Sequence, residues 1–486
     1  MSPWVIAWPA AGIFFPQSRK LGLCPGETHS PAVLRKIVQA GVRNKSFAEG
    51  SRELLESAEL TIGAKTIERA VRRVGQERTD DRTAAVKAWE ALPLPEKQRG
   101  CPQPKAPSLA VVQFDCGRLL VRERERKRSK KPVPVDHNLP PIVASKDAEA
   151  RLLELTADVA INLAAAEFFQ AAAVAEDTQE DAATSPPPSV DESRSRYWRD
   201  SKVGCLMTMH SVEHVEDPCP QIPPSFVDPK RISQLVREFG GHAPPTADDS
   251  AAESHVKDAE RAGRPHPLVK TLIASRACSA VFGGILAAAA WARGFAVAPR
   301  KAFVADGAAM NWTLWERFFS SYVPILDFIH ALQYVFAAAH AGRAVSQGWE
   351  IYGRWIQAIW SGQVEQVIAE LATRQNELGL APKDASATDP RVVVATTLRY
   401  LQSHRARMDY PRYRRLGLPI MSSYAESTVK QINYRVKGTE KFWGEAGAEA
   451  VLQLRADYLS DTHPLDRFWQ QRQQKITGHR CYRHAK

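Results

Sequence analysis

Three acidic residues have the types and positions that phosphodiester chemistry needs. Asp115 ends the apolar run Ser108–Asp115, and Asp306 ends the apolar run Lys301–Asp306. Each is followed within two residues by glycine, and each is predicted to project from the end of a β-strand, where ligand sites of open α/β sheets lie. Glu426 lies on a predicted helix. Three carboxylates from two strand ends and a helix can hold two Mg²⁺ (or Mn²⁺) ions, which activate the attacking oxygen and stabilise the leaving one.

An Asp shortly before a glycine is usually only a turn former, so Asp115 and Asp306 alone are weak evidence for a site. The third acid, Glu426, is what strengthens the prediction. Around Glu426, apolar residues recur at helical spacing, and the neighbouring stripe is polar. Residues 399–443 hold ten Lys and Arg against three acids, with aromatic residues between them. Cations can neutralise phosphates while rings stack on bases, although a solvated helix face or a packed core has the same composition. The candidates for DNA contact in this segment are Lys430, Asn433, Arg435, Lys437, Lys441 and Trp443.

The elements that must position the acids form a mixed α/β pattern. Three strands are followed by a helix, a strand, a helix and a strand, which favours a mixed sheet with helices on its faces. The predicted strands are 108–115, 117–124, 203–212, 301–306 and 323–328, with a helical run at 268–292 and mostly helices from 331 to 407.

The N-terminal part is predicted to be helical. Ser46 and Glu49 form a capping box that begins a helix ending near Ala58, and after a turn a second helix covers Ala64–Val74. Two helices joined by a short turn resemble a DNA-binding helix-turn-helix, and any small helical pair with a solvated basic face is the alternative. The basic face of the second helix carries Lys65, Arg69, Arg72 and Arg73.

Composition excludes several classes of protein. The chain has 486 residues and a net charge of +11, which points first to an anionic partner such as nucleic acid. Its seven scattered cysteines include no C-x-x-C pair, so we expect a reducing cytoplasm. The longest apolar run, 277–292, is shorter than the roughly 20 residues that a membrane helix needs.

Several segments resemble the DDE transposases of bacterial insertion sequences, most closely the Kra-type family. The resemblance covers about residues 25–470 and is carried by an Asp-Gly-Ala at Asp306, an Asp-x-x-His at Asp327 and His330, and a Ser-x-x-x-Glu-Ser-x-x-x-Lys helix at Glu426. It implies an RNase H-like fold with Asp115, Asp306 and Glu426 as the catalytic, metal-binding acids. It also implies a structural or DNA-contacting role for Asp327 and His330. Cys116 stands where we expect glycine.

The resemblance also implies a domain plan and a set of partners. The plan is an N-terminal segment 1–30, a helix-turn-helix-like domain 31–100, the first catalytic part 105–345, an all-helical insertion 346–410, a second catalytic part 411–470, and a basic tail 471–486. Within the first catalytic part, composition predicts flexible insertions at 176–192 and 243–265, which are acidic and nearly free of large apolar residues. The expected partners are the terminal repeats of the element and target DNA, bound by a homodimer or larger assembly at the nucleoid, without a membrane. Two other functions stay open: an RNase H-like nuclease without strand transfer, and a non-catalytic DNA-binding protein derived from a transposase.

Overall fold

The computed structural model describes residues 13–14, 16–23, 27–102, 105–122, 161, 197–232, 264–438, 441–476 and 479–480. The predicted insertion 176–192 lies outside these residues, as does the insertion 243–265 apart from its last two residues. The strands are β1 (Ile13–Phe14), β2 (Leu109–Val121), β3 (Trp198–His210), β4 (His266–Ser275), β5 (Arg300–Ala305), β6 (Val323–Leu326), β7 (Phe442–Trp443) and β8 (His479–Arg480).

The described helices divide into three runs along the chain. Before the sheet come α1 (Pro16–Lys20), α2 (Pro31–Arg43), α3 (Phe47–Ala58), α4 (Ala64–Ala91) and α5 (Leu94–Arg99). Between strands β4 and β6 lie α6 (Ser279–Ala292) and α7 (Ala309–Phe318). After β6 come α8 (Phe328–His340), α9 (Val345–Trp360), α10 (Val364–Leu378), α11 (Pro390–His404), α12 (Tyr410–Arg415), α13 (Ser423–Val436), α14 (Glu445–Leu459) and α15 (Pro464–Gln474).

The central feature is a mixed sheet of six strands with the order β4-β3-β2-β5-β6, to which β7 adds beside the end of β2. Strands β2, β3 and β4 are antiparallel neighbours, whereas β5 and β6 run parallel to β2. The prediction of a mixed α/β sheet is confirmed at this level.

Two predicted elements are wrong. The break predicted between the runs 108–115 and 117–124 is absent, because Cys116 and Gly117 pair with Lys202 and Ser201 within the continuous strand β2. Asp115 therefore lies within β2, and not at its end. The helical run predicted at 268–292 contains β4 and then α6, since the β-branched residues in its first part favour a strand.

The N-terminal helices share the main hydrophobic core. As predicted, the Ser46 side chain caps α3 by accepting from the Glu49 amide, and Ile67, Val71 and Val74 on α4 are fully buried. Helix α4 extends well beyond the predicted Val74 because its second half packs on α14 and α6.

The contact between α4 and α14 is close and charged. A Cβ on Gly75 would lie 2.6 Å from the carbonyl oxygen of Ala450, so glycine is required there. Further along α4, Arg78 pairs with Asp457 at 2.9 Å and Arg82 pairs with Glu449 at 2.7 Å. These contacts fix α4 to the body that carries the sheet. Within the described ranges, no helix is both long and apolar enough to cross a membrane.

Candidate active site at the end of the parallel strands

Three acids lie level where the pairing between the parallel strands β2, β5 and β6 ends. The β2–β5 ladder ends at the pair Gln113 and Val304, and the β5–β6 ladder ends at Ala305 and Leu326. Asp115, Asp306 and Asp327 follow these pairs by one or two residues. The register therefore places the three carboxylates on adjacent strands at the same edge, the place where ligands of such sheets bind.

Glu426 is added by α13, which is attached to β2 by a buried glutamine. The Gln113 side chain donates to the carbonyl of Met421 at 2.8 Å and accepts from the amide of Ala425 at 3.2 Å. Gln113 is fully buried and lies two residues before Asp115. Both hydrogen bonds fix the start of α13 and thus place Glu426 beside the strand acids. Sequence reasoning missed this residue, although a polar side chain within the apolar run of β2 was a visible signal.

Asp327 is the most fully hydrogen-bonded acid of the group. It is fully buried and begins α8, where its Oδ1 accepts from the amide of Ile329 at 2.9 Å. Its Oδ2 accepts from the Ser422 hydroxyl and lies 3.0 Å from Nδ1 of His330. Ser422 Oγ is also 3.5 Å from Oε1 of Glu426. This network joins the starts of α8 and α13.

Asp306 is positioned by the first turn of α7. Its Oδ1 accepts from the amide of Ala308 at 2.9 Å and from Nδ2 of Asn311 at 2.5 Å. Asn311 is 1% exposed, so this contact is protected from solvent. The conformation of the loop that follows β5 therefore determines where the carboxylate points.

The electrostatics show that the acids lie close enough to act on one another. Burial and the charge of Asp306 raise the pKa of Asp115 to about 6. Burial, and then the charges of Asp327 and Asp115, raise the pKa of Glu426 to about 7. Burial acts to lower the pKa of His330, but the hydrogen bond to Asp327 and the nearby acids outweigh it and raise that pKa to about 10. A protonated His330 is thus the counter-charge of the cluster.

The donor set fits a hard divalent cation. Carboxylate oxygens are the ligands that Mg²⁺ and Mn²⁺ prefer, and raised pKa values of neighbouring acids indicate negative charge that a cation can neutralise. Among the described residues, the group of three whose ligand atoms all lie within 4.8 Å of one another is Asp327, His330 and Glu426. The predicted set of Asp115, Asp306 and Glu426 is therefore close in space but not gathered around one point.

The predicted DNA-contacting residues of α4 form an exposed basic face. Arg69, Arg72 and Arg73 line a surface cavity of about 370 Å³ with Gln76 and with Ala446 from α14. Lys65 is exposed at the start of the helix and pairs with Glu68 at 3.3 Å. We call the cavity-lining residues Arg69, Arg72, Arg73 and Gln76 the α4 patch.

On α13 the predicted contacts divide into two groups. Lys430 and Lys437 are exposed, and the Lys437 ammonium lies 5.9 Å from the centre of the Trp198 ring. Asn433 is half-buried, with its side-chain oxygen close to Gly117 of β2. Exposed positions such as Lys430 and Lys437 are accessible to a phosphate.

Arg435 corrects the prediction, because it is 1% exposed and belongs to the packing between helices. Its guanidinium lies 4.4 Å from the centre of the Phe47 ring, and its Nε donates to the carbonyl of Gly41 at 2.8 Å. Lys441 donates to the carbonyl of Lys45 at 2.8 Å, and Trp443 donates to that of Val436 at 2.9 Å. Composition alone does not separate such internal contacts from a nucleic-acid surface.

Comparison of the chain with family models, curated proteins and solved structures finds no match. The arrangement of the site therefore carries the functional argument.

Proposed function

We propose that this protein is an RNase H-like DDE transposase of the Kra-type insertion-sequence family. The observation that carries the proposal is that Asp115 of β2, Asp306 after β5 and Glu426 of α13 lie at one edge of a mixed sheet. These acids are far apart in sequence, and burial together with the charges of neighbouring acids raises the pKa values of Asp115 and Glu426. The antiparallel order of β2, β3 and β4 followed by the parallel strands β5 and β6 supports the RNase H-like assignment.

The residues at this edge of the sheet have different roles in the proposed mechanism. Asp115, Asp306 and Glu426 would hold the cations, whereas the Asp327 oxygens already accept from Ile329 and Ser422 and contact His330. Asp327 and His330 therefore position α8 and α13 and balance charge. When bound, Mg²⁺ or Mn²⁺ supplies activation of the attacking water or 3′-hydroxyl and stabilisation of the leaving oxygen. Lys430, one turn after Glu426, would hold a phosphate of the scissile strand.

DNA is the partner that the charge distribution supports. The chain carries a net charge of +11, and the α4 patch and the exposed Lys430 and Lys437 supply positive charge outside the acidic site. We assign the α4 patch to the terminal repeats of the element and Lys430 and Lys437 to DNA near the cut. Joining two element ends requires a homodimer or larger assembly, and the expected place of action is the bacterial nucleoid.

The test is a cleavage and strand-transfer assay with element-end DNA, a target plasmid and Mg²⁺. We expect the wild type to cut the ends and join them to the target, and Asp115→Asn, Asp306→Asn and Glu426→Gln each to lose at least about 10³-fold in rate while still binding DNA. Glu365→Gln is the matched control, because Glu365 is a solvent-exposed carboxylate of α10.

The other outcomes of this assay identify the alternatives. Cutting without joining, even when 3′-hydroxyl ends are supplied, would identify an RNase H-like nuclease. End binding without cutting by the wild type would identify a non-catalytic DNA-binding protein. Normal cutting by Glu426→Gln would remove Glu426 from the site.

A further inference from the structure

The loop that follows β5 contains a glycine pressed against an aromatic ring from a distant helix. A Cβ on Gly307 would lie 2.2 Å from Cε2 of Tyr400 and 2.9 Å from its hydroxyl oxygen. Real Cβ contacts are essentially never this short, so the ring occupies the space that any other side chain at position 307 needs. The glycine is required by this close approach.

Tyr400 is held firmly in that place. Its ring stacks on Tyr334 of α8 at 3.7 Å between centres and 8° between planes. One turn later on α11, the ring of His404 is hydrogen-bonded to the Gly307 backbone and lies 5.9 Å from the Trp312 ring of α7. Helix α11 thus contacts the loop, the helix that follows it and the helix that carries Asp327.

The contact bears on Asp306 because Gly307 is the next residue. The Asp306 carboxylate depends on hydrogen bonds from Ala308, the residue after Gly307, and from Asn311 in the first turn of α7. A displacement of Gly307 therefore changes the direction of the carboxylate. Helix α11 is the last long helix between β6 and α13, and Tyr400 and His404 connect it to the loop that follows Asp306.

We propose that Tyr400 is a positioning residue that fixes Asp306 through Gly307, so that the helical segment sets the cation affinity of the site. This inference rests on the proposed function for its link to cleavage. Its physical content is independent of cleavage, because cation binding at Asp306 can be measured without DNA.

The experiment compares Gly307→Ala, Tyr400→Ala and the double variant. Mn²⁺ binding is measured by calorimetry without DNA, and the half-saturating Mg²⁺ concentration is measured for cleavage. We expect Gly307→Ala to weaken Mn²⁺ binding about tenfold or more, since changing a group that orients a metal ligand typically costs about 10–100-fold in affinity. The double variant should bind Mn²⁺ more tightly than Gly307→Ala, because the smaller side chain at 400 makes room for the new methyl group.

Tyr352→Ala is the matched control, because Tyr352 is a fully buried tyrosine of α9 in the same helical segment. It should lower the melting temperature without changing Mn²⁺ affinity. Tyr400→Phe, which keeps the ring, should bind Mn²⁺ within about twofold of the wild type and covers the case in which Tyr400→Ala fails to fold.

Wild-type Mn²⁺ affinity in folded Gly307→Ala, or no recovery in the double variant, would overturn the inference. Wild-type protein that binds Mn²⁺ but does not cut DNA would refute the proposed function alone.

Discussion

Two charged regions of this molecule are built in opposite ways. At the sheet edge, Asp115, Asp306 and Glu426 share few hydrogen-bond donors, and two of them have raised pKa values. At the end of α2, a cationic junction of Arg435, Arg455 and Lys441 donates to the carbonyls of the last turn of α2 and of the loop that follows it. Carbonyls at the end of a helix carry partial negative charge and lack partners within the helix.

The difference separates a ligand site from a structural contact. The junction cations donate to backbone carbonyls and join α2 to α13 and α14, although burial and neighbouring cations lower the pKa values of Arg435 and Lys441 to about 10 and about 8. The acids at the sheet edge have His330 as a counter-charge, and a bound cation would neutralise their remaining negative charge. A cluster of like charges therefore indicates a ligand site only where its position in the fold leaves room for a ligand.

The largest expected effect that tests this comparison is a loss of stability at the junction. Arg435→Leu should lower the free energy of unfolding by about 2–4 kcal/mol, because it leaves the Gly41 carbonyl without its donor and removes the contacts with Phe47 and Trp443. Urea unfolding measures this. Lys430→Ala, an exposed cation of the same helix, should change stability by less than about 0.5 kcal/mol. A stable Arg435→Leu protein with weakened DNA binding would show that the junction is a binding surface.

The next effect concerns the pH dependence of cation binding. Protonated carboxyls do not bind metal, and the pKa values of Asp115 and Glu426 are about 6 and about 7. Mn²⁺ affinity should therefore rise with pH between about 5 and 8, by up to about tenfold per pH unit for each proton released. Calorimetry at several pH values measures the slope, and an affinity that does not change over this range would contradict the assignment of these two acids.

A smaller effect is expected on the stability of the cation-free protein. Because the folded-state pKa of Asp115 lies above its ordinary value of 3.8, the folded state binds the proton more tightly, and stability falls as the pH rises from about 4 to about 6. At pH 8 the charged carboxylate is therefore destabilising, and Asp115→Asn should raise the free energy of unfolding by about 1 kcal/mol. The gain should shrink at pH 4, where Asp115 is protonated. Equal effects at the two pH values would mean that charge is not the cause.

The smallest effect is expected at the α4 patch. Arg72→Ala should weaken binding of DNA severalfold and reduce the slope of log affinity against log salt by about 1, as the loss of one phosphate contact predicts. Fluorescence anisotropy at several salt concentrations measures this. Lys36→Ala on α2 is the control, because Lys36 is exposed and lies outside the patch. An unchanged slope for Arg72→Ala would remove Arg72 from the DNA contacts.

Sequence reasoning found the acids of the site more readily than the contacts that hold them. Asp306 follows a short apolar strand, and such a pattern depends only on local residues. The role of Gln113 depends on α13, which lies about 300 residues later in the chain. The burial of Arg435 depends on α2 and α3, so no local pattern could distinguish it from Lys437. The strand β4 was missed because only a few residues separate its apolar residues from those of α6, and this short break hides the boundary.

The attachment of α4 along its length has a consequence for the spacing of DNA sites. The helix has 28 residues and is about 42 Å long, and it continues from the patch into the body of the protein without a break. Under the proposed function, the number of base pairs between the recognised sequence and the cut would be set by this helix and not by a linker. Inserting half a helical turn of DNA between the recognised sequence and the cut would place the scissile phosphate on the side of the duplex that faces away from the acids. Inserting a full turn would return it to the side that faces them.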